Sequence, residues 1–330
     1  MDQLIIDDQI LDVDDSAMRY IKQQYRYEAL LTIAIAIVWE LLILFIWRGT
    51  THLNESAELL IFLLALPVII LGFIVSALKE SFRHKFYEQF AKTNNFTYTK
   101  TADLENQLGT IFQVGHSTKN EDIIEGEVNN LPVRLFNYQY TVKHGKSSTK
   151  YNKTIFEVDL QTSVPPLLLL VDTHLFGDNL SDNNISHTSK ISLTPDLEQH
   201  FSLFTEKKFE IEALQIFTPE FLQLIYTKYK FFSIDFVGTK LYIYANHIIT
   251  KKTELELMME FLSLICQRLA NKLPQMRGSI IALTESLSKT SSPTQLFKKE
   301  SITNIIIIIF CILFLVPIIV MFIKGILQKG

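Results

Sequence analysis

The side chains most able to do chemistry are spaced in ways that exclude most familiar reactions. The eight histidines, His52, His84, His116, His144, His174, His187, His200 and His247, form no HExxH pair and no Cys/His cluster, so no metal centre is expected. No GxSxG elbow, GxxxxGK[ST] loop or GxGxxG turn occurs, and 11 glycines in 330 residues leave little backbone suited to cradling phosphate. No cofactor is therefore expected. Asp159 and Asp172, both on predicted strands, together with His174, are the residues from which an unfamiliar hydrolase or transferase site would be assembled. Two acids without geometry read first as structural carboxylates. Cys266 falls on the apolar side of a predicted helix and reads as a packed small group instead of a reactive thiol.

Two features are more specific. Glu40 lies near the middle of the apolar run ALLTIAIAIVWELLILFIW, where an ionised carboxylate costs about 3 kcal/mol on insertion scales. It is the candidate intramembrane polar site, either a proton or ion relay or a hydrogen bond that holds helices or copies of the chain together. Trp39 and Ser76 are the only nearby polar groups in sequence. The second feature is the turn KHGKSSTK, with Lys143, Lys146 and Lys150 as candidate lipid contacts, each cation contributing about 1 kcal/mol at an anionic leaflet.

The elements that would position these residues follow from where the apolar residues sit. Three runs approach the roughly 20 residues needed to cross a bilayer core: Ala29 to Trp47, Leu59 to Leu78 and Ile305 to Ile323. An acidic stretch precedes the first, and no small-residue cleavage site follows it, so it reads as an anchor and not a signal peptide. Pro67 and Pro317 lie inside the second and third runs and predict kinks. Arg19, Lys22 and Arg26 before the first run, Arg48 alone in the hairpin loop, and Lys79, Arg83, Lys85 and Lys92 after the second put that loop outside. The expectation is a multi-pass protein of the cell inner (plasma) membrane, its N-terminus and central domain cytoplasmic and its C-terminus outside.

The predicted order is an acidic tail over 1–28, a transmembrane hairpin over 29–78, an α+β domain over 79–283, a Ser/Thr-rich linker over 284–304 and a last span over 305–323. The fold class is α+β, membrane-anchored by three helices. Phe82, Phe86 and Phe90 recur at helical spacing after the second run and should pack on the domain, with the charges on the other face. Val133 to Val142 and Lys150 to Thr162 predict a long hairpin, and Leu167 to Asp172 a short buried strand. Residues 174–189 read as an exposed mobile loop rich in Asn, Asp and Ser. Thr194-Pro195 and Thr218-Pro219 predict helix starts, Phe231 to Val237 and Lys240 to Ala245 a tight hairpin about Gly238, and Thr253 to Asn271 a helix with Met259, Leu262, Cys266 and Leu269 inward.

Over Leu193 to Ala245 the run of features resembles bacterial membrane-anchored proteins of the 3137-type domain of unknown function: a polar segment ending in phenylalanine (Phe201 to Phe209), an ALxxxTP-like helix start (Ala213 to Pro219) and an LYIY strand (Leu241 to Tyr244). The resemblance implies a membrane-anchored bacterial protein and no catalytic or cofactor residue.

Net charge is −4, but residues 1–28 alone hold three basic and seven acidic side chains, while 80–300 hold 24 and 25. The domain is nearly neutral, so no nucleic acid is expected as a partner. The partners expected are the lipid bilayer and either another protein or a second copy of the chain. A core without a catalytic constellation points to an uncharacterised bacterial integral membrane protein whose domain is an interaction or scaffold module at the inner membrane face. An enzyme with an unrecognised site in that domain, or a small transport accessory subunit using Glu40, are the alternatives.

Overall fold

The computed structural model describes residues 15–49, 57–105, 107–144, 147–171 and 189–287. The chain divides into two units, 1–285 and 286–330, and all but the last two described residues belong to the first. The third predicted span and the loop 174–188 lie outside the described residues.

Two long helices come first, α1 (Asp15–Gly49) and α2 (Ala57–Thr93). The first begins fourteen residues before its predicted span, so half of the predicted 1–28 tail is helix. The reason is tertiary: Met18 is buried in the domain core, and Tyr25 packs edge-on against Phe82 of α2 with ring centroids 5.7 Å apart. Among the described residues one stretch, Ser16–Leu44, is long and apolar enough to cross a membrane, where the sequence predicts three spans. The helix of α2 continues through Pro67 without a break.

The strands are β1 (Thr97–Thr101), β2 (His116–Val128), β3 (Leu131–His144), β4 (Ser147–Asp159), β5 (Leu167–Leu170), β6 (Ser189–Ile191), β7 (Ser202–Thr205), β8 (Phe232–Val237) and β9 (Lys240–Ala245). They form one antiparallel sheet of nine strands in the order β1-β2-β3-β4-β9-β8-β5-β7-β6. The hairpins about 145–146 and Gly238 stand where the sequence predicts them, and Gly238 has φ 65°, which glycine adopts freely. The edge strand β1 and the long β2 are not predicted, because β2 begins with the polar run His116 to Asp122 and lacks the alternation that marks a strand.

Each sheet face has its own core. The first is covered by α2, α4 (Glu210–Ile216), α5 (Pro219–Lys228) and α6 (Lys252–Leu287), and includes Phe86, Phe90, Leu222, Phe261 and Leu269. A four-residue helix, α3 (Pro195–Glu198), sits where the first Thr-Pro start is predicted. Neither Thr194 nor Thr218 makes a side-chain cap bond; the Thr218 hydroxyl instead accepts Arg268 Nη2 at 3.1 Å. Met259, Leu262, Cys266 and Leu269 are inward as predicted, and burial pushes the Cys266 thiol up to about 12. The helix continues over Thr284–Leu287, where a linker is predicted, since those residues include no glycine or proline to stop it.

The second face carries Phe136, Tyr138, Tyr140, Tyr242 and Tyr244 beneath the segment Leu104 to Val114. Gly109 lets that segment approach: a Cβ there would stand 2.4 Å from Tyr244 Oη.

Candidate functional site at the junction of helix and sheet

The most unusual residue of the sheet is Asp122. The β2–β3 register runs from Glu121 opposite Asn137 to Ile124 opposite Leu135, so Asp122 and Ile123 stand against Phe136 alone. This bulge puts Asp122 at φ 52°, a left-handed conformation that aspartate tolerates better than most residues. The bulge re-aims its carboxylate beneath α2, where it is fully buried.

A buried carboxylate must be compensated. Arg83 Nε lies 2.7 Å from Asp122 Oδ2, which also accepts Asn137 Nδ2 at 3.0 Å. Tyr98 donates its hydroxyl to Oδ1 at 2.9 Å, and His84 Nδ1 also contacts that oxygen. Arg83 reaches Glu121 through Nη2 at 2.5 Å, and Lys119 caps the outer side of Glu121. Glu80, one turn before His84, stands 3.5 Å from its Nε2.

The charges settle each other. Burial alone would raise the Glu121 carboxyl, but the Lys119 and Arg83 cations outweigh it and hold the group below its ordinary value. Burial works against the Arg83 charge, yet Asp122, Glu121 and Glu80 together raise its proton affinity. Burial, then the Asp122 charge, pushes the Tyr98 hydroxyl upward.

The same network crosses the sheet. Thr154 of β4 donates to Asn137 Oδ1 at 2.7 Å. Tyr87, one turn after Arg83, donates to the Ile249 carbonyl at 2.8 Å, and Ile249 N–H donates to Thr154 Oγ1 at 2.9 Å. The segment before α6 is thus tied to α2 through β3 and β4. Chemically the cluster is a clamp: both oxygens of Asp122 are engaged, so neither is a free base.

A second buried acid, Asp235 of β8, lies under the opposite face. Its Oδ2 accepts Thr110 N–H at 2.6 Å and the Tyr244 hydroxyl at 2.8 Å, and burial raises its pKa despite these bonds.

The residues singled out by sequence are not gathered into one site. Asp159 ends β4 in a surface pair, 3.1 Å from Lys240 Nζ, and accepts Gln161 N–H at 3.0 Å; burial is outweighed and its carboxyl is held below its ordinary value. Asp172, His174 and Lys146 lie outside the described residues. Lys143 and Lys150 are exposed on β3 and β4. Glu40 is half-buried on α1. Ser76 does not reach its level: with Tyr25 against Phe82 in antiparallel helices, Ser76 falls opposite Leu31, about 13 Å short along the axis. Among the described residues no three His, Cys, Asp or Glu side chains stand together as metal ligands.

Sequence reasoning missed Arg83, His84 and Asp122. It put the charges of this helix away from the phenylalanines, whereas Arg83 and His84 turn into the domain beside buried Phe86 and Tyr87. Their only local signal was adjacency to that aromatic stripe.

Comparison with known proteins adds little. No family model matches the chain, and no curated protein does. Among solved structures, the crystal structure of the mycobacterial trehalose monomycolate transport factor A is similar over 57% of this chain and 94% of its own, at 7% identity and a TM-score of 0.44.

Proposed function

We propose that the chain is an integral membrane protein whose α+β domain is an interaction module held against the inner membrane face. One observation carries this reading: α2 runs unbroken from the apolar run Leu59 to Leu78 into the segment that buries Phe86, Tyr87 and Phe90 and clamps Asp122. A helix that leaves a bilayer and becomes part of a domain core transmits its own position to that domain, and burying those three aromatics stabilises the join by several kcal/mol. The exposed apolar surface of α1, including Ile35, Ile37, Val38 and Leu41, supports the lipid setting.

In this reading α1 and α2 form a transmembrane hairpin, the run Ile305 to Ile323 is a third span, and the domain is cytoplasmic. The scaffold role draws on the Asp122 carboxylate, both of whose oxygens are held by side chains of α2, β1 and β3, so that the cluster ties helix to sheet. The partner is another protein or a second copy of the chain.

Alkaline extraction of native membranes combined with cysteine accessibility tests it. The chain should stay in the pellet, with Leu53→Cys labelled from outside and Ser148→Cys only after permeabilisation. Release at high pH, or labelling of position 148 in sealed cells, would overturn it. Cross-linking from native membranes should then return one reproducible protein partner or the dimer.

A further inference from the structure

The path of α2 fixes which end of the sheet points toward the apolar runs. Arg83 and His84 meet Glu121 and Asp122, at the Thr101 end of β1, while Phe96, just past the helix, packs over Gly126 at the Thr97 end. Moving back along α2 therefore means moving along β3 toward His144 and along β4 toward Ser147. The β3–β4 hairpin extends in that direction beyond the clamp.

Its reach can be compared with that of the helix. From Asn137, whose Oδ1 lies 3.1 Å from the Tyr87 hydroxyl oxygen, β3 runs six residues to Lys143, about 20 Å of strand. From Tyr87 back to Leu78, the end of the apolar run, α2 covers nine residues, about 14 Å. At any inclination of the strand to the helix up to about 45°, that length still projects about 14 Å or more. The hairpin end thus reaches the level where the apolar run of α2 stops, and a headgroup layer is roughly 5–7 Å deep on each side of the hydrocarbon core.

The chemistry at that level is one-sided. Lys143 and Lys150 are exposed and lie on the sheet face that α2 occupies, in alternation with Asn137 on β3 and with Asn152 and Thr154 on β4. From Tyr138 to Lys153 the hairpin holds no carboxylate. Lys153 is not part of the surface, since it is buried and donates to the Asn246 carbonyl at 3.2 Å.

We propose that the β3–β4 hairpin is a second membrane contact, with Lys143 and Lys150 binding the headgroups of anionic phospholipid. The domain is then held at two points, the clamp on α2 and the hairpin end, which fixes its rotation about the helix. This rests on the membrane reading above.

The full chain tests it, carrying Cys311→Ser and Ser148→Cys labelled with a fluorophore, in vesicles of phosphatidylcholine with or without phosphatidylglycerol. Flotation reports insertion, and quenching by headgroup spin-labelled lipid reports contact. The chain should float in both vesicles, with quenching several-fold stronger when phosphatidylglycerol is present, reduced by salt and lost in K143E/K150E. Each lysine should count for about fivefold in the equilibrium constant for contact, so Lys143→Gln alone gives a partial loss. Equal quenching in both vesicles, or quenching indifferent to the charge reversal, in a chain that floats, overturns the contact and leaves the membrane reading standing. A chain that floats in neither overturns both.

Discussion

Arg83 Nε stands 2.7 Å from Asp122 Oδ2, joining the helix that leaves the apolar run to a bulge in the second strand of the sheet. Asp122 is fully buried and the Arg83 side chain is 15% exposed, so removing Arg83 leaves a carboxylate that water cannot reach, and removing Asp122 leaves the largely buried Arg83 with Glu121 as its near partner. Asp122→Leu should destabilise the domain by about 3–5 kcal/mol. Arg83→Met combined with Asp122→Leu should cost much less than the sum of the singles, because the pair is removed together. Urea unfolding of the four proteins measures the coupling; simple additivity would show that the pair is not a unit.

Tyr87→Phe tests the reach of the network across the sheet. The hydroxyl donates to the Ile249 carbonyl, and the variant leaves that buried acceptor without its donor, at a cost of about 1–3 kcal/mol. Hydrogen exchange should quicken over residues 246–256, at the start of α6, more than over β8 and β9. A uniform rise across the domain would contradict a local tie.

Asp235 gives a pH signature. Its folded-state pKa is raised by burial, so between its ordinary value near 3.9 and the raised one the folded chain holds a proton the unfolded chain has lost. Stability falls as pH rises through that window and does not return above it. Asp235→Asn keeps an acceptor oxygen for Thr110 and Tyr244 and cannot titrate, so its advantage over the parent should grow as pH rises above about 4. Urea midpoints for both proteins from acid to neutral pH decide it; parallel curves would refute it.

Glu121 acts in the opposite direction. Its folded-state pKa is lowered, so its contribution is present above the ordinary carboxylate value and is lost as pH falls through the folded one. Glu121→Gln should therefore be weaker than the parent at neutral pH and converge with it in acid, read from thermal melting at several pH values.

Gly109→Ala tests the cover of the second face. The added Cβ would lie 2.4 Å from Tyr244 Oη and 3.1 Å from the rings of Phe112 and Tyr242, an overpacking worth about 1–3 kcal/mol. Combining it with Tyr244→Phe removes the nearest atom, so the double variant should lose less than the two singles together. Near-ultraviolet circular dichroism should report the displaced aromatics in Gly109→Ala.

The amino-acid sequence by itself determined the α+β class, the β3–β4 and β8–β9 hairpins, the buried LLLL strand and the inward face of α6, because period, β-branching and turn chemistry are local. It also marked the apolar run of α1. It did not reveal that α1 starts at Asp15 or that Arg83, His84 and Asp122 meet, for these depend on partners 38 or more residues away, and it did not reveal β2, which depends on pairing with both β1 and β3. A polar stretch such as His116 to Asp122 becomes strand only because β1 and β3 flank it, and Asp122 becomes a buried anchor only because a bulge turns it under α2. Charge in a sequence looks like surface; tertiary packing decided that these charges hold the helix to the sheet, since only a folded neighbour can repay their desolvation.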